Sequence, residues 1–582
     1  MFRSSRTVAS LVRSLLASPA PLLAPVALAT VLVGCKDENQ PDYWVEKLSD
    51  RAWQSAAVKR LEQFFEDTFT RANKDLASAE VKALADKIVE PLTKAYVDGY
   101  ADLDEKTRES VIKLIASFRD KRGEPALKKA FDEFAKVGKG AEDVKWAARA
   151  AGDLALESVA ESIGQAFDKL KASSKEGGSV YRDLNEAMLK HPSKAWSGLL
   201  KMKLQSEIEP PGDGKSPDLV NRFRNELFWQ TTSAQLLGEL KDESAIEPLL
   251  KVMFDPAKAD VQMTAVLALV KIGKPAAART LKILADQDAD MAAYAAAKVQ
   301  KATGSKEPPK DKPHIATAAL VLGAMGRPET LDAMVTALKG TKEESTKAVL
   351  AREVAKIPPT PASKQAFRDA YASISLDTQI PPGANALQVL TESAGTFYDA
   401  DFVPWLIERA DKTKGSGEEK TLLQSTATVT AIKLMKADQV AAVSDAVGKW
   451  GTQIEKDAFK QGSDLLKACG DRAACYLTNM EKSENQEKAR QQTGIKAGYM
   501  IGICGDEKAR GDLIEHLDAI ENAAVRFVAS QTIDYLSPKG SKEAADALDK
   551  IIDKNVKSAD KNKTQGDAPL KQVMYRIRAR AE

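Results

Sequence analysis

The sequence predicts an all-α protein: a superhelical stack of antiparallel helix pairs. Three observations predict it. Apolar residues recur at helical spacing along nearly all of the chain beyond residue 41. Pairs of such segments meet at short Gly- and Asp-containing turns that return about every 35 residues, a period typical of helical-hairpin repeats. Alanine is abundant while aromatic residues make up only 6%, and alanine is the best helix former whereas aromatics favour strands.

The chain opens differently. Arg3, Arg6 and Arg13 form a basic start with no acidic residue before Asp37, and residues 15–33 are apolar or small except for Ser18 and Thr30. This is the layout of an export signal. Its end, Leu32-Val33-Gly34-Cys35, resembles the lipobox of bacterial lipoprotein precursors. The resemblance implies cleavage before Cys35 and acylation of that cysteine, so residues 1–34 are a signal peptide and 35–41 a short lipid-anchored tether. Acyl chains anchor because each buried CH₂ contributes roughly 0.8 kcal/mol. An uncleaved signal anchor is the other reading, since about 20 apolar residues can span a bilayer; Pro19, Pro21 and Pro25 oppose it by disrupting a helix. Lys36, in place of Asp, resembles the outer-membrane sorting pattern of enteric bacteria. The expected location is the cell envelope, with the protein on the outer membrane.

Three helical segments follow, 42–208, 218–302 and 314–582, separated by the polar, Gly/Pro-punctuated loops 209–217 and 303–313. In Ile246 to Met253, the residues Ile246, Leu249, Leu250 and Met253 share one face, as an outer helix requires. From Ala265 to Ile272 the apolar face is nearly continuous, as an inner helix requires. Gly470, Gly505 and Gly540 mark successive joins, where a helix C-cap calls for left-handed φ. No outer helix is legible at 303–313, and no strand or hairpin signal is found.

These pairs resemble HEAT repeats. Ala524-Val525-Arg526 matches the Val-Arg opening of that family's inner helix, Asp143-Val144-Lys145 matches it with Lys for Arg, and Asp260-Val261-Gln262 with Gln. The resemblance implies that one hairpin cannot bury its apolar faces alone, so neighbours stack into a curved rod with inner helices lining a concave face. It also implies that Arg108, Lys145 and Arg526 ladder to turn carboxylates of adjacent repeats, ligand binding by these basic residues being the alternative.

Chemistry is sparse. The three histidines, His191, His314 and His516, are far apart and read as surface or loop residues. No metal-ligand spacing, P-loop or serine elbow occurs, so no cofactor, metal or catalytic residue is expected and the protein is read as a non-enzyme. Cys469 and Cys475 flank the turn Gly470-Asp471-Arg472. An oxidising compartment permits a disulfide there; reduced core packing and metal use are the alternatives, and Cys504 is left over. Tryptophans such as Trp44, Trp146 and Trp196 read as core. Formal net charge is +2. Loss of Arg3, Arg6 and Arg13 leaves 82 basic against 83 acidic residues, a balance that argues against nucleic acid as a partner. The expected role is a membrane-anchored scaffold or adaptor holding a protein or peptide along its concave face. The alternatives are a lyase-type or cofactor-dependent enzyme or subunit, and a purely structural envelope spacer.

Overall fold

The helical periodicity is realised as 29 α-helices in a computed structural model that describes residues 37–582, apart from 174–176, 213, 310, 382, 482–487, 559–563 and 565–566. Leu32 to Cys35 lie outside the described residues. The fold is all-α. Its one strand pair among the described residues, Gln379–Ile380 with Ala384–Asn385, is antiparallel and two residues long. It was not legible because two residues carry no period.

The chain forms two compact units, Met1–Ile88 and Val89–Glu582. The described part of the first holds Pro41–Lys47, Gln54–Arg71 and the start of Ala79–Gly99. Its buried residues include Leu48, past the end of Pro41–Lys47, and Ala57, Val58, Leu61 and Phe65, spaced along one face of Gln54–Arg71 as an amphipathic helix dictates. Trp44 is buried and donates its indole N–H to the Glu38 carbonyl at 2.7 Å. The loops around 209–217 and 303–313 join helices inside the second unit.

In the second unit short outer helices alternate with inner ones, with one extra helix interposed at Ala289–Thr303. The pair Ile246–Met253 and Ala259–Ile272 shows how sequence builds it. Asp242 accepts from the Ser244 amide and starts a 3₁₀ turn that leads into the outer helix, satisfying amides that helix starts leave free. Ile246, Leu249, Leu250 and Met253 are all buried, as the spacing required. Asp255 repeats the capping device before the inner helix. That helix is buried at Val261, Ala265, Val266, Ala268, Leu269, Val270 and Ile272, because inner helices are packed on both sides by their neighbours. Small residues set the spacing: a Cβ on Gly238, in the preceding inner helix Pro217–Glu239, would lie 2.7 Å from the Ala268 Cα. The three HEAT-like openings, at 143, 260 and 524, all begin inner helices.

Two local expectations change. No outer helix is missing near 303: Lys274–Leu284 serves Pro313–Met325 as its outer partner, and Ala289–Thr303 is an extra helix beside Ile246–Met253 and Pro313–Met325. Among the three join glycines, Gly470 and Gly540 have φ of 57° and 76°, but Gly505 is not among the positive-φ residues. Its constraint is space, since a Cβ there would lie 2.3 Å from the Ile501 carbonyl oxygen.

The largest departure concerns the inner face. The last helix, Asp567–Ala581, packs on Lys542–Lys557 and Ala523–Tyr535, as the repeat order requires. It also packs on Ala259–Ile272 and Pro313–Met325, some 250 to 300 residues earlier. The second unit therefore closes on itself between residues 259 and 581. Over that span the inner helices face one another and form a shared interior where an open concave trough was expected. Gly540 permits the fit, because a Cβ there would stand 2.4 Å from the Ala581 nitrogen.

Candidate functional site

The closure is built from arginines placed on helix ends. Four orphan carbonyls close every α-helix, and the macrodipole makes that end negative, so a buried cation can be held there without a full counter-charge. Arg576 donates to the Lys356 carbonyl at 2.7 Å, past the end of Glu344–Val354. Arg580 donates to the Gly326 carbonyl at 3.3 Å, just past Pro313–Met325. Arg327 returns the arrangement by donating to the Ala579 carbonyl at 2.5 Å, in the last turn of the closing helix. Asp534, at the end of Ala523–Tyr535, joins the set: it accepts from Arg580 at 2.5 Å and lies 3.3 Å from Arg576. Outside this cluster Lys241 pairs with Glu582 at 2.5 Å and Lys271 stands 3.9 Å over the Tyr575 ring. Burial pulls Arg580 below the usual guanidinium range, opposed by Asp534.

Aromatic rings fill the interior beside the arginines. Tyr398 is buried, packs on Tyr535 at 4.5 Å and Tyr499 at 5.3 Å, and shares a 3.2 Å hydrogen bond with Thr532. Burial holds its hydroxyl well above the ordinary tyrosine range. Between rings and arginines lies a pocket of about 320 Å³ lined by Lys356, Phe527, Gln531, Asp534, Gln572 and Arg576, among others. Phe527 is half exposed at its edge. This pocket mixes apolar lining with charged and amide groups at the junction of four inner helices, the sort of concavity in which ligands are held.

The same device, a cation on carbonyls, recurs elsewhere. Lys258 donates to the Leu204 and Ser206 carbonyls, both at 2.7 Å. Lys496 donates to those of Lys433 and Met435 at 3.0 and 2.6 Å. Burial lowers Lys258 to about 8 and Lys496 to about 7. Arg526 also caps a carbonyl, that of Ile520 at 2.6 Å. Arg108 does ladder: it meets Asp143 of the next inner helix at 2.5 Å, and Tyr96 donates to the same carboxylate at 2.9 Å. Lys145 pairs within its own helix with Glu142.

A second surface lies on the inner helices before the closed span, Glu105–Phe118, Ala141–Leu154 and Gly177–Lys190. Trp146, half-buried, has Lys113, Lys145 and Arg149 within 5.9 Å of its ring, and its indole N–H has no hydrogen-bond partner among the described residues. Arg149 bridges to Asp183 at 2.6 Å, and Asp153 holds both Arg119 and Lys190. Trp146 is thus a partly buried residue under cations with its indole nitrogen sealed from solvent, whereas the N–H of the core tryptophan Trp196 reaches the Ala160 carbonyl.

The remaining sequence-derived residues fall as follows. Cys469 and Cys475 are joined by a disulfide with Cα atoms 5.4 Å apart. Cys504 is a free, half-buried thiol 3.8 Å from the Asp471 carboxylate, and burial raises it. His314 is buried and bonded to Asp286 at 2.8 Å, contrary to the surface position expected of it, because it sits in the first turn of an almost wholly apolar inner helix. His191 and His516 are exposed. No group of metal-ligating side chains occurs among the described residues, and no single helix there is long and apolar enough to cross a membrane. Sequence reasoning missed Arg576, Arg580, Asp534 and Tyr398. Their one visible signal, arginines toward the end of a helix, is common to many helices.

A family model described as HEAT repeats matches residues 229–299. That span includes the pair Ile246–Met253 and Ala259–Ile272 and the outer helix Lys274–Leu284. A search of curated proteins gave no match.

Proposed function

We propose that this HEAT-repeat chain is a lipid-anchored scaffold of the bacterial cell envelope that holds a protein or peptide partner. The observation that carries the reading is the sequence Leu32-Val33-Gly34-Cys35 placed directly before a helical-repeat body. Helical repeats support it physically, because stacked hairpins offer long side-chain surfaces. Acylation of Cys35 would tether those surfaces to the membrane through the short stretch 36–41. With the interior closed from residue 259 on, the partner surface we favour is the charged inner face around Trp146. Trp146 and Arg149 are of the residue types enriched at protein interfaces.

Two measurements test the parts separately. Labelled fatty acid should enter the wild-type protein and not Cys35→Ser; equal labelling of both removes the anchor. A photo-crosslinking residue at position 113 or 149 should trap a defined envelope protein in living cells. Trapping that is no different from a control at exposed Lys460 removes the partner surface.

A further inference from the structure

The arginine cluster at the closure carries more positive charge than it balances. Among the described residues, Arg327, Arg352, Lys356, Arg576 and Arg580 pair with only three carboxylates, Glu329, Glu353 and Asp534. Helix-end carbonyls offset part of the excess, and the pocket lies against the remainder. Arg576 is 6% exposed and its Nε has no hydrogen-bond partner among the described residues. Gln531 and Gln572 line the same pocket, and neither amide makes a hydrogen bond among the described residues. The two glutamine amides, at partly exposed positions, thus keep unused hydrogen-bonding capacity around one small cavity. Ile357, Pro358, Val573 and Phe527 add apolar lining to the same pocket.

We propose that this pocket binds the carboxylate of a small, largely apolar acid. The carboxylate would face Lys356 and Arg576, the two glutamine amides would take adjacent polar atoms, and the apolar body would lie against Phe527. A cavity of about 320 Å³ has room for a single amino-acid-sized group. The acid is therefore either a free small molecule or the last residue of a peptide, two sources of one chemistry. The inference is independent of the lipid anchor and of the surface around Trp146.

The test uses the mature chain carrying Cys35→Ser and ligand-observed saturation-transfer NMR. The probes are N-acetyl-leucine, N-acetyl-leucinamide, and a hexapeptide ending in leucine as free acid and as amide. Each free acid should bind more than about tenfold better than its amide, because the pair differ by a charge-assisted hydrogen bond to a guanidinium. If the peptide acid binds and N-acetyl-leucine does not, the occupant is a chain terminus; the converse identifies a free acid. Arg576→Met would disturb the closure, so the variants are Phe527→Ala and Gln572→Leu, at partly exposed positions. Each should weaken binding several-fold with an unchanged melting midpoint. Equal binding of acids and amides, no binding of any probe up to about 10 mM, or binding untouched by Phe527→Ala would overturn the proposal.

Discussion

Gly502 gives the sharpest test of how the interior is packed. It lies in the inner helix Lys488–Cys504, and a Cβ placed on it would stand 2.1 Å from the Tyr398 Cδ1 and 2.5 Å from its Cε1. The ring cannot swing clear, since Tyr499 and Tyr535 pack on it and Thr532 holds its hydroxyl. Gly502→Ala therefore meets an overpacking cost at the top of the usual range, about 3 kcal/mol. Alanine returns about 1 kcal/mol through better helix propensity, leaving a net loss of about 2 kcal/mol. The control is Gly511→Ala in Glu507–His516, where nothing lies within 4 Å of the added carbon. There only the propensity acts, and stability should rise by about 0.5–1 kcal/mol. Urea melts of both variants followed by circular dichroism measure the pair. Opposite signs are expected; a Gly502→Ala protein as stable as Gly511→Ala would refute the packing of Tyr398 against this helix.

Three further outcomes follow from the same contacts. Arg580→Met leaves Asp534 and the Gly326 carbonyl short of a buried partner and should cost about 3–5 kcal/mol; adding Asp534→Leu should cost less than the sum of the two single changes, and strict additivity in denaturant melts would contradict the pairing. Lys496 has its folded pKa lowered by burial to about 7, below the unfolded value, so the unfolded chain binds the extra proton between about pH 7 and the ordinary lysine range. Its contribution to stability should therefore rise with pH across that window and be unfavourable below it, and Lys496→Met should flatten the slope in melts from pH 7 to 9; an unchanged slope would count against the burial. Replacing Cys469 and Cys475 with serine opens a small loop and should cost about 2 kcal/mol by the chain-entropy relation, while unfolding without reductant should expose Cys504 alone to alkylation in a Cys35→Ser background.

Much of the fold was legible because its rules are local. The face formed by Ile246, Leu249, Leu250 and Met253 is written in a four-residue spacing, and the openings at 143, 260 and 524 mark inner helices by residue type and order. The closure was not legible, because Arg580 and Gly326 or Lys241 and Glu582 are hundreds of residues apart and no period links them. Arg576 and Arg580 look like any cations ending a helix, and only the third dimension turns them toward the carbonyls of other helices. His314 misled for a related reason: a lone histidine after Pro313 looks like loop sequence, whereas the proline is the first residue of a buried helix. The candidate pocket inherits this difficulty, since the junction that frames it comes from helices 150 to 250 residues apart in the chain.

The central claim is that the second unit closes through its last helix. Zero-length carbodiimide coupling followed by mass spectrometry tests it directly, because the reagent joins only amines and carboxylates already in contact. Lys241 and Glu582, 2.5 Å apart, should yield a cross-linked peptide alongside the local Lys412–Glu408 control. Recovery of the control without any link from Glu582 to Lys241 would mean that the stack stays open.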